Sequence, residues 1–327
     1  MNGTDFVSNG ILLDVWGKSY TDPVVLSVEE LDLQRRLEAH VATLAGTIGT
    51  RNNRRPDALE AAALYIEREF RKAGYEPRRQ EVRASDGSVS RNIEASAEGS
   101  GPNDTLVIGA HYDTVDLCPG ANDNGSGVAS LLEIAAAVAR RKDNPRNAVR
   151  FVAFANEEPP YFGGPDMGSR MYAQELKRKH EPVMGMICLE TLGYYSAEPG
   201  SLDPGDRLPD MLKAVYRNDV GNFVLICGNS ESKAFVKSFL KAFRSGCDFP
   251  SEGLACPEEA VPGLSLSDHR NFWALGFKAL MVTDTVYVRY GEHYHQTTDT
   301  PDRLNYPAFA KVTAGLAEAV WRLADEG

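Results

Sequence analysis

The five cysteines, Cys118, Cys188, Cys227, Cys247 and Cys256, include no CxxC pair, which argues against a zinc site built on thiolates. No run of about 18 to 20 apolar residues occurs, so no segment reads as a membrane helix. Positive charge is scarce: 35 Lys and Arg face 46 Asp and Glu, a formal charge of −11. That balance disfavours a nucleic-acid partner, because phosphate binding rests on clustered cations. Two short basic clusters, "RNNRRP" at 51–56 and "LKRKH" at 176–180, read as solvated surface. The first twenty residues hold neither a basic leader nor a continuous apolar stretch, and a soluble, cytoplasmic protein is expected. Repeats, low-complexity linkers and breaks in composition are all missing, so one domain over 29–327 is expected, preceded by an extension, 1–28. Cys188 and Cys227 lie in apolar runs and read as core residues. Cys247 and Cys256 bracket the loop "CDFPSEGLAC" and are placed to close a disulfide if the chain meets an oxidising compartment.

What is present is a well-packed globular composition, 43% hydrophobic and 25% charged over 327 residues. Helical spacing marks 29–45, with Ser27 and Glu30 as a capping box, and 57–76, closed by a glycine past its last basic turn. Strands follow at "RRQEVRA", "RNIEASA" and the fully apolar "TLVIGA". Helix and strand then alternate through "SGVASLLEIAAAVARR", "NAVRFVAFAN", "GSRMYAQELKRK" and "VMGMICLET", and through "NFVLICG", "SESKAFVKSFLKAFRSG" and "KALMVTDT" to a closing helix over 302–325. The turn-rich stretch 196–221 reads as a surface excursion. This alternation predicts an α/β fold: a mixed, largely parallel central sheet sandwiched by helices.

Chemistry-bearing residues fall at the ends of these strands. His111 follows "TLVIGA", Glu157 and Glu158 follow "RFVAFAN", Glu190 follows "GMICL", Asp284 follows "KALMVT", and His295 lies in the loop beyond. Sites in open α/β sheets form outside the carboxyl ends of strands, so four segments converge on one edge. His, Asp, Glu, Glu and His make a nitrogen and oxygen donor set suited to zinc or a related divalent ion. Five protein ligands exceed the need of one catalytic zinc with an open position, whereas two ions sharing a carboxylate need about that number. Asp123, on the turn "NDNGSG", is the natural bridge, and Gly125 and Gly127 would let the backbone pass close to the metals. Adjacent glutamates suggest a division of labour, with Glu158 as ligand and Glu157 as general base. Asp113 is placed to fix the imidazole of His111.

With "GAHYDTV", "PGANDNGSGV", "FVAFANEEPPYFGG", "ICLETLGYYS", "SLSDHRNFWALGF" and "HYHQTTDTPDRL", the chain resembles the co-catalytic dizinc aminopeptidases of the bacterial leucyl aminopeptidase type. This is metallopeptidase family twenty-eight, which also contains the glutaminyl cyclases, and the resemblance runs from about residue 30 to the C-terminus. It implies a zinc-exopeptidase (phosphorylase/hydrolase-like) fold and two zinc ions per chain. Asp123 would bridge them, His111 and Glu190 would hold one, and Glu158 and His295 the other. His295 rather than His293 matches the family's histidine, four residues before Asp299 and Thr300. Glu157 matches the general base, and Tyr294 a tyrosine that hydrogen-bonds the scissile carbonyl. Many members carry Asp where this chain has Glu190. Asp268 and His269 match a recurrent feature that supports the ligands or, equally, caps the next helix.

The resemblance implies an aminopeptidase acting on peptides with a free N-terminus, through water activated by two zincs. A glutaminyl cyclase is the alternative within the family, but "PPYFGG" lacks the tryptophan associated with cyclases there; Trp16, Trp273 and Trp321 fall elsewhere. A non-catalytic binding domain on the same fold would have lost ligands or base, and all are present.

Overall fold

The computed structural model describes residues 24–101, 104–203 and 220–326. Most of the expected N-terminal extension, Trp16, and the greater part of the 196–221 excursion therefore lie outside the described residues. Helix α1 (Val28–Val41) opens on the expected capping box: Glu30 N–H donates to Ser27 Oγ at 3.2 Å and Ser27 N–H to Glu30 Oε2 at 2.7 Å. A wider π-helical segment, Ala42–Ile48, prolongs it to Gly49. Helix α2 (Pro56–Lys72) starts on a proline and ends before Gly74, whose φ of 99° is the left-handed stop that glycine permits.

Among the described residues eight strands form one sheet: β1 (Arg78–Arg83), β2 (Val89–Ala97), β3 (Thr105–His111), β4 (Ala148–Phe154), β5 (Val183–Glu190), β6 (Val224–Asn229), β7 (Ser251–Cys256) and β8 (Ala279–Thr283). Their order is β1-β2-β4-β3-β5-β8-β6-β7. The central run β4-β3-β5-β8 is parallel, β1, β2 and β6 pair antiparallel with their inner neighbours, and β7 runs parallel to β6. His111 stands level with Phe154 and Glu190 with Thr283, so the carboxyl ends of the parallel strands share one edge.

Strand residues alternate between two cores, as a sheet buried on both faces requires. Leu106, Ile108, Phe151, Ile187, Ile226 and Leu280 pack into one. It holds α1, α2, α3 (Gly127–Ala139), α5 (Lys233–Gly246) and α8 (Tyr306–Glu326). Val107, Val152, Met186, Cys188, Cys227 and Met281 pack into the other, thinner layer. That layer is covered by α4 (Gly168–Arg178), α6 (His269–Trp273), α7 (Val286–Arg289) and the 261–264 loop. Glu190 continues the Met186 and Cys188 series and so emerges on the thin-layer side.

Three expectations are corrected. Arg51, read as surface, is fully buried, while Arg54 and Arg55 of the same cluster are exposed. Residues 251–256, read as loop, form β7, because pairing with β6 satisfies their backbone. Cys247 and Cys256 are free, since they belong to cores on opposite faces of the sheet. Cys188 and Cys227 are core residues as expected. No described helix is long and apolar enough to cross a membrane.

At Gly109 in β3 an added Cβ would strike the Phe154 ring and lie 3.1 Å from Met186 Cε. Gly109→Ala is therefore expected to cost about 1–3 kcal/mol through overpacking. Chemical denaturation would check this, and unchanged stability would show that the thin-layer core gives way freely.

Candidate metal centre

Each donor is delivered by the end of an element. His111 and Glu190 close β3 and β5, Glu157 and Glu158 lie in the loop after β4, Asp123 stands in the turn before α3, and His295 follows α7. All but His295 are buried, and its side chain is 28% exposed. His111 Nε2 lies 3.2 Å from Asp123 Oδ1 and 3.4 Å from Glu190 Oε2. His295 Nε2 lies 3.1 Å from Asp123 Oδ2 and 3.2 Å from Glu158 Oε2. The two oxygens of Asp123 thus face different imidazoles, and two donor sets that could each hold an ion share this one carboxylate.

The spacing fits zinc, because donors at about 2.0–2.1 Å from a tetrahedral ion stand about 3.3–3.4 Å apart. Orphaned atoms agree: His295 Nε2 and Glu158 Oε1 are buried without a hydrogen-bond partner, as ligands facing an ion would be. Glu157 groups with His111 and Glu158, but its Oε2 is farther from His111 Nε2, at 3.9 Å. His293 lies outside the cluster, its Nδ1 2.9 Å from Thr298 Oγ1.

The supporting contacts differ from expectation at several points. His111 Nδ1 lies 3.2 Å from the Asp113 carbonyl and 3.7 Å from its Oδ1, so both the backbone and the carboxylate of Asp113 stand beside the imidazole. The carboxylate also accepts the backbone N–H groups of Glu157 and Glu158, both at 3.1 Å, and so aims the glutamate pair. Gly125 and Gly127 stand where chain packs closely on chain. A Cβ on Gly125 would lie 2.7 Å from the Gly120 carbonyl, and one on Gly127 2.6 Å from the Leu189 carbonyl. Asp268 makes no side-chain cap to α6. His269 Nε2 pairs with the Leu264 carbonyl at 2.7 Å and so anchors the thin-layer loop. Asp284, at the end of β8, accepts from Asn122 Nδ2 at 2.9 Å and the Tyr194 N–H at 2.8 Å and belongs to the scaffold.

Other supports come from residues inside the motifs that carry the resemblance. Asp299 accepts the N–H groups of Asn122 and Asp123 at 2.8 and 3.1 Å, tying the His295 loop to the Asp123 turn. Asn122 Oδ1 accepts Gly193 N–H at 2.9 Å, Asn124 Oδ1 accepts Thr191 N–H at 3.1 Å, and Asn124 Nδ2 donates to the Leu189 carbonyl at 2.9 Å. Ser267 Oγ donates to Glu190 Oε2 at 2.6 Å. Backbone strain gathers at the same places: Asn156, Thr191 and His295 have φ of 61°, 48° and 58°, a region that costs non-glycine residues energy.

Burial and mutual repulsion set the proton affinities of the clustered groups. Burial lifts the Glu157 carboxyl well above the ordinary range and pushes Glu158 up to about 7, against the pull of the imidazoles. Burial would lower His295, but Asp123 and Glu158 hold it up to about 10. His111 is raised in the same way, Glu157 and Glu190 outweighing burial. Asp123, flanked by both imidazoles, falls below the usual carboxylate value in spite of burial. Burial also raises Asp268 and Asp284 to about 7 and Asp299 to about 6.

Beside the cluster a cavity of about 220 Å³ runs into the thin layer, walled by Leu225, Cys227, Leu254, Leu264, Met281 and Val288. Tyr294 also lines it, stacked on the His295 ring at 3.8 Å between centroids.

Peptidase family M28 matches residues 92–320. The uncharacterized protein YfbL of Escherichia coli K12 is 35% identical over 289 residues, 86% of this chain and 85% of that protein. Leucine aminopeptidase 1 of Ajellomyces dermatitidis is 27% identical over 229 residues, 66% of this chain but 52% of that protein. The chain thus spans about half the length of that relative. In fold it is similar to BSAP, a zinc aminopeptidase from Bacillus subtilis, with a TM-score of 0.67 at 15% identity, over 90% of this chain and 95% of that one. It is also similar to a glutaminyl cyclase of Bacteroides thetaiotaomicron, with a TM-score of 0.61 at 17% identity, over 88% and 97%.

The carboxyls raised by burial retain protons in the folded chain where the unfolded chain has lost them. Stability of the metal-free protein therefore falls as pH rises from their ordinary values toward about 7. The His295 contribution, complete below its ordinary 6.5, is lost as pH climbs to about 10. The depressed Asp123 acts only below its ordinary 3.8, outside this window. The melting temperature of chelator-treated protein should drop from about pH 5 to about pH 8, and zinc should restore it at the upper end. A metal-free melting temperature that rises across the same range would contradict this account.

Proposed function

The chain belongs to peptidase family M28, and we propose that it is a two-zinc aminopeptidase removing apolar N-terminal residues from peptides. The observation that carries the reading is the division of the Asp123 carboxylate between two histidine-containing donor sets, with Glu157 alongside.

His111, Asp123 and Glu190 would hold one ion and Asp123, Glu158 and His295 the other. When bound, the ions would acidify a water and polarise the scissile carbonyl. Glu157 accepts the proton of the attacking water on its carboxylate and returns it to the departing amine. Its buried setting supports that role, because a carboxyl with a raised affinity for protons holds one between the two steps. Asp113 keeps the base in place by fixing the backbone of both glutamates. Tyr294, which lines the cavity, donates its hydroxyl to the oxyanion. The clustered carboxylates favour a free α-ammonium, which selects N-termini. The apolar walls of the cavity receive the first side chain.

Glu157→Gln should retain both zincs and lose about 10²–10⁴-fold in kcat toward aminoacyl anilides. Metal analysis run beside the assay separates the possibilities. Loss of zinc together with activity would make Glu157 a ligand, unchanged turnover would remove it as base, and a wild type that binds zinc but hydrolyses nothing would leave a binding domain.

Leucyl, methionyl and phenylalanyl anilides should exceed aspartyl and lysyl ones in kcat/KM by at least about 100-fold, since an unpaired charge in an apolar cavity costs several kcal/mol. A panel showing equal rates would place the first side chain outside this cavity.

A further inference from the structure

We propose that Arg51 is a positioning residue of the metal centre, orienting Asp123 through the carbonyls of the loop that carries it; the proposal rests on the two-ion reading above. Arg51 is 0% exposed, and its guanidinium bonds are to backbone oxygens. Nε donates to the Tyr112 carbonyl at 2.6 Å, Nη1 to Pro119 at 2.7 Å and to Leu44 and Gly49 at 3.2 Å, and Nη2 to Gly120 at 3.0 Å. Its own backbone is locked to the same loop: Arg51 N–H donates to Thr114 Oγ1 at 3.2 Å, and Thr114 N–H to the Arg51 carbonyl at 2.9 Å.

The bonded carbonyls matter because of where they sit. Tyr112 follows the ligand His111, and Pro119 and Gly120 precede Asp123. One planar group therefore holds both ends of the segment linking the two donors. The Gly120 carbonyl that receives Nη2 also accepts Gly125 N–H at 3.0 Å, closing residues 120–125 into a ring around Asp123. Through that ring the guanidinium sets the plane in which Oδ1 meets His111 and Oδ2 meets His295. The carbonyls of Leu44 and Gly49 fasten the same group to the end of the α1 segment, so the helical layer serves as the fixed support.

A buried guanidinium whose hydrogen bonds run to neutral oxygens is costly to retain if it only fills space, since an apolar side chain would avoid the desolvation. Its charge also attracts Asp299, Asp113 and Asp123, opposing their mutual repulsion. Arg51 precedes the span 92–320 that matches the family, so this support comes from a part of the chain outside that match.

The test compares Arg51→Lys and Arg51→Met with a core variant away from the loop, Val236→Ala. Zinc affinity is measured by competition with a chromophoric chelator, and amide exchange over residues 112–125 is measured in the metal-free proteins. Both Arg51 variants should lose about 10–100-fold in zinc affinity, the scale seen when a group that orients a ligand is removed. Lys, which keeps the charge, should lose less than Met. Exchange in the loop should quicken about tenfold, while Val236→Ala, compared at an equal loss of melting temperature, keeps wild-type zinc affinity. Arg51 variants that lose stability yet bind zinc like the wild type would overturn the proposal. Should the variants not fold, the wild type decides: loop amides must be protected before zinc is added, and a loop that orders only on zinc binding would overturn it. A wild type that binds no zinc would instead sink the two-ion reading, while the exchange measurement still judges Arg51.

Discussion

Four carboxylates, Asp123, Glu157, Glu158 and Glu190, are buried within reach of two imidazoles at one sheet edge, and the structure depends on how that charge is offset. Buried carboxylates repel one another and lose their hydration, so the cluster persists only if cations or protons neutralise it. Both remedies are visible: raised affinities for protons on Glu157, Glu158 and Glu190, and donor atoms spaced for metal. Asp123 is the central member, because each of its oxygens serves a different imidazole. A rotation of that carboxylate would disturb both donor sets together, which accounts for the density of bonds around its turn.

Those bonds come from every side. Asp299 reaches in from the His295 loop, Asn122 and Asn124 reach out to the segment after Glu190, and Arg51 grips the chain just before Asp123. Asp113 performs the matching task for the glutamate pair. Strained backbone at Asn156, Thr191 and His295 lies within one residue of Glu157, Glu190 and His295 themselves. The cost of such conformations is tolerated where surrounding contacts over-determine the chain. Rigidity here follows largely from hydrogen bonding between loops, since of the donors only His111 and Glu190 belong to strands, as their last residues.

The sheet explains why the cavity opens where it does. Alternation sends Met186 and Cys188 into the thin layer, and Glu190 follows on the same side; Cys227 and Met281 belong to that layer as well. Glu190 and the apolar wall are thus built from one face of adjacent strands. The thick layer of helices on the other face supplies the bulk of the core and, through the segment after α1, the anchor for Arg51.

The sequence by itself determined the alternation of strands and helices, the single mixed sheet and the residues gathered at its edge. Period-two burial, capping and apolar runs are local properties, and His111, Asp123, Glu157, Glu158, Glu190 and His295 stand at positions those local patterns already mark. It did not reveal β7, whose strand character comes from pairing with β6, or the separation of Cys247 from Cys256 by the sheet. Arg51 lies in a run that looks solvated, and only the closure of α1 against the 112–120 loop buries it. The roles of Asp113, Asp299 and the two asparagines belong to tertiary structure for the same reason. A hydrogen bond between segments as much as 177 residues apart leaves no trace in the composition or spacing of either one.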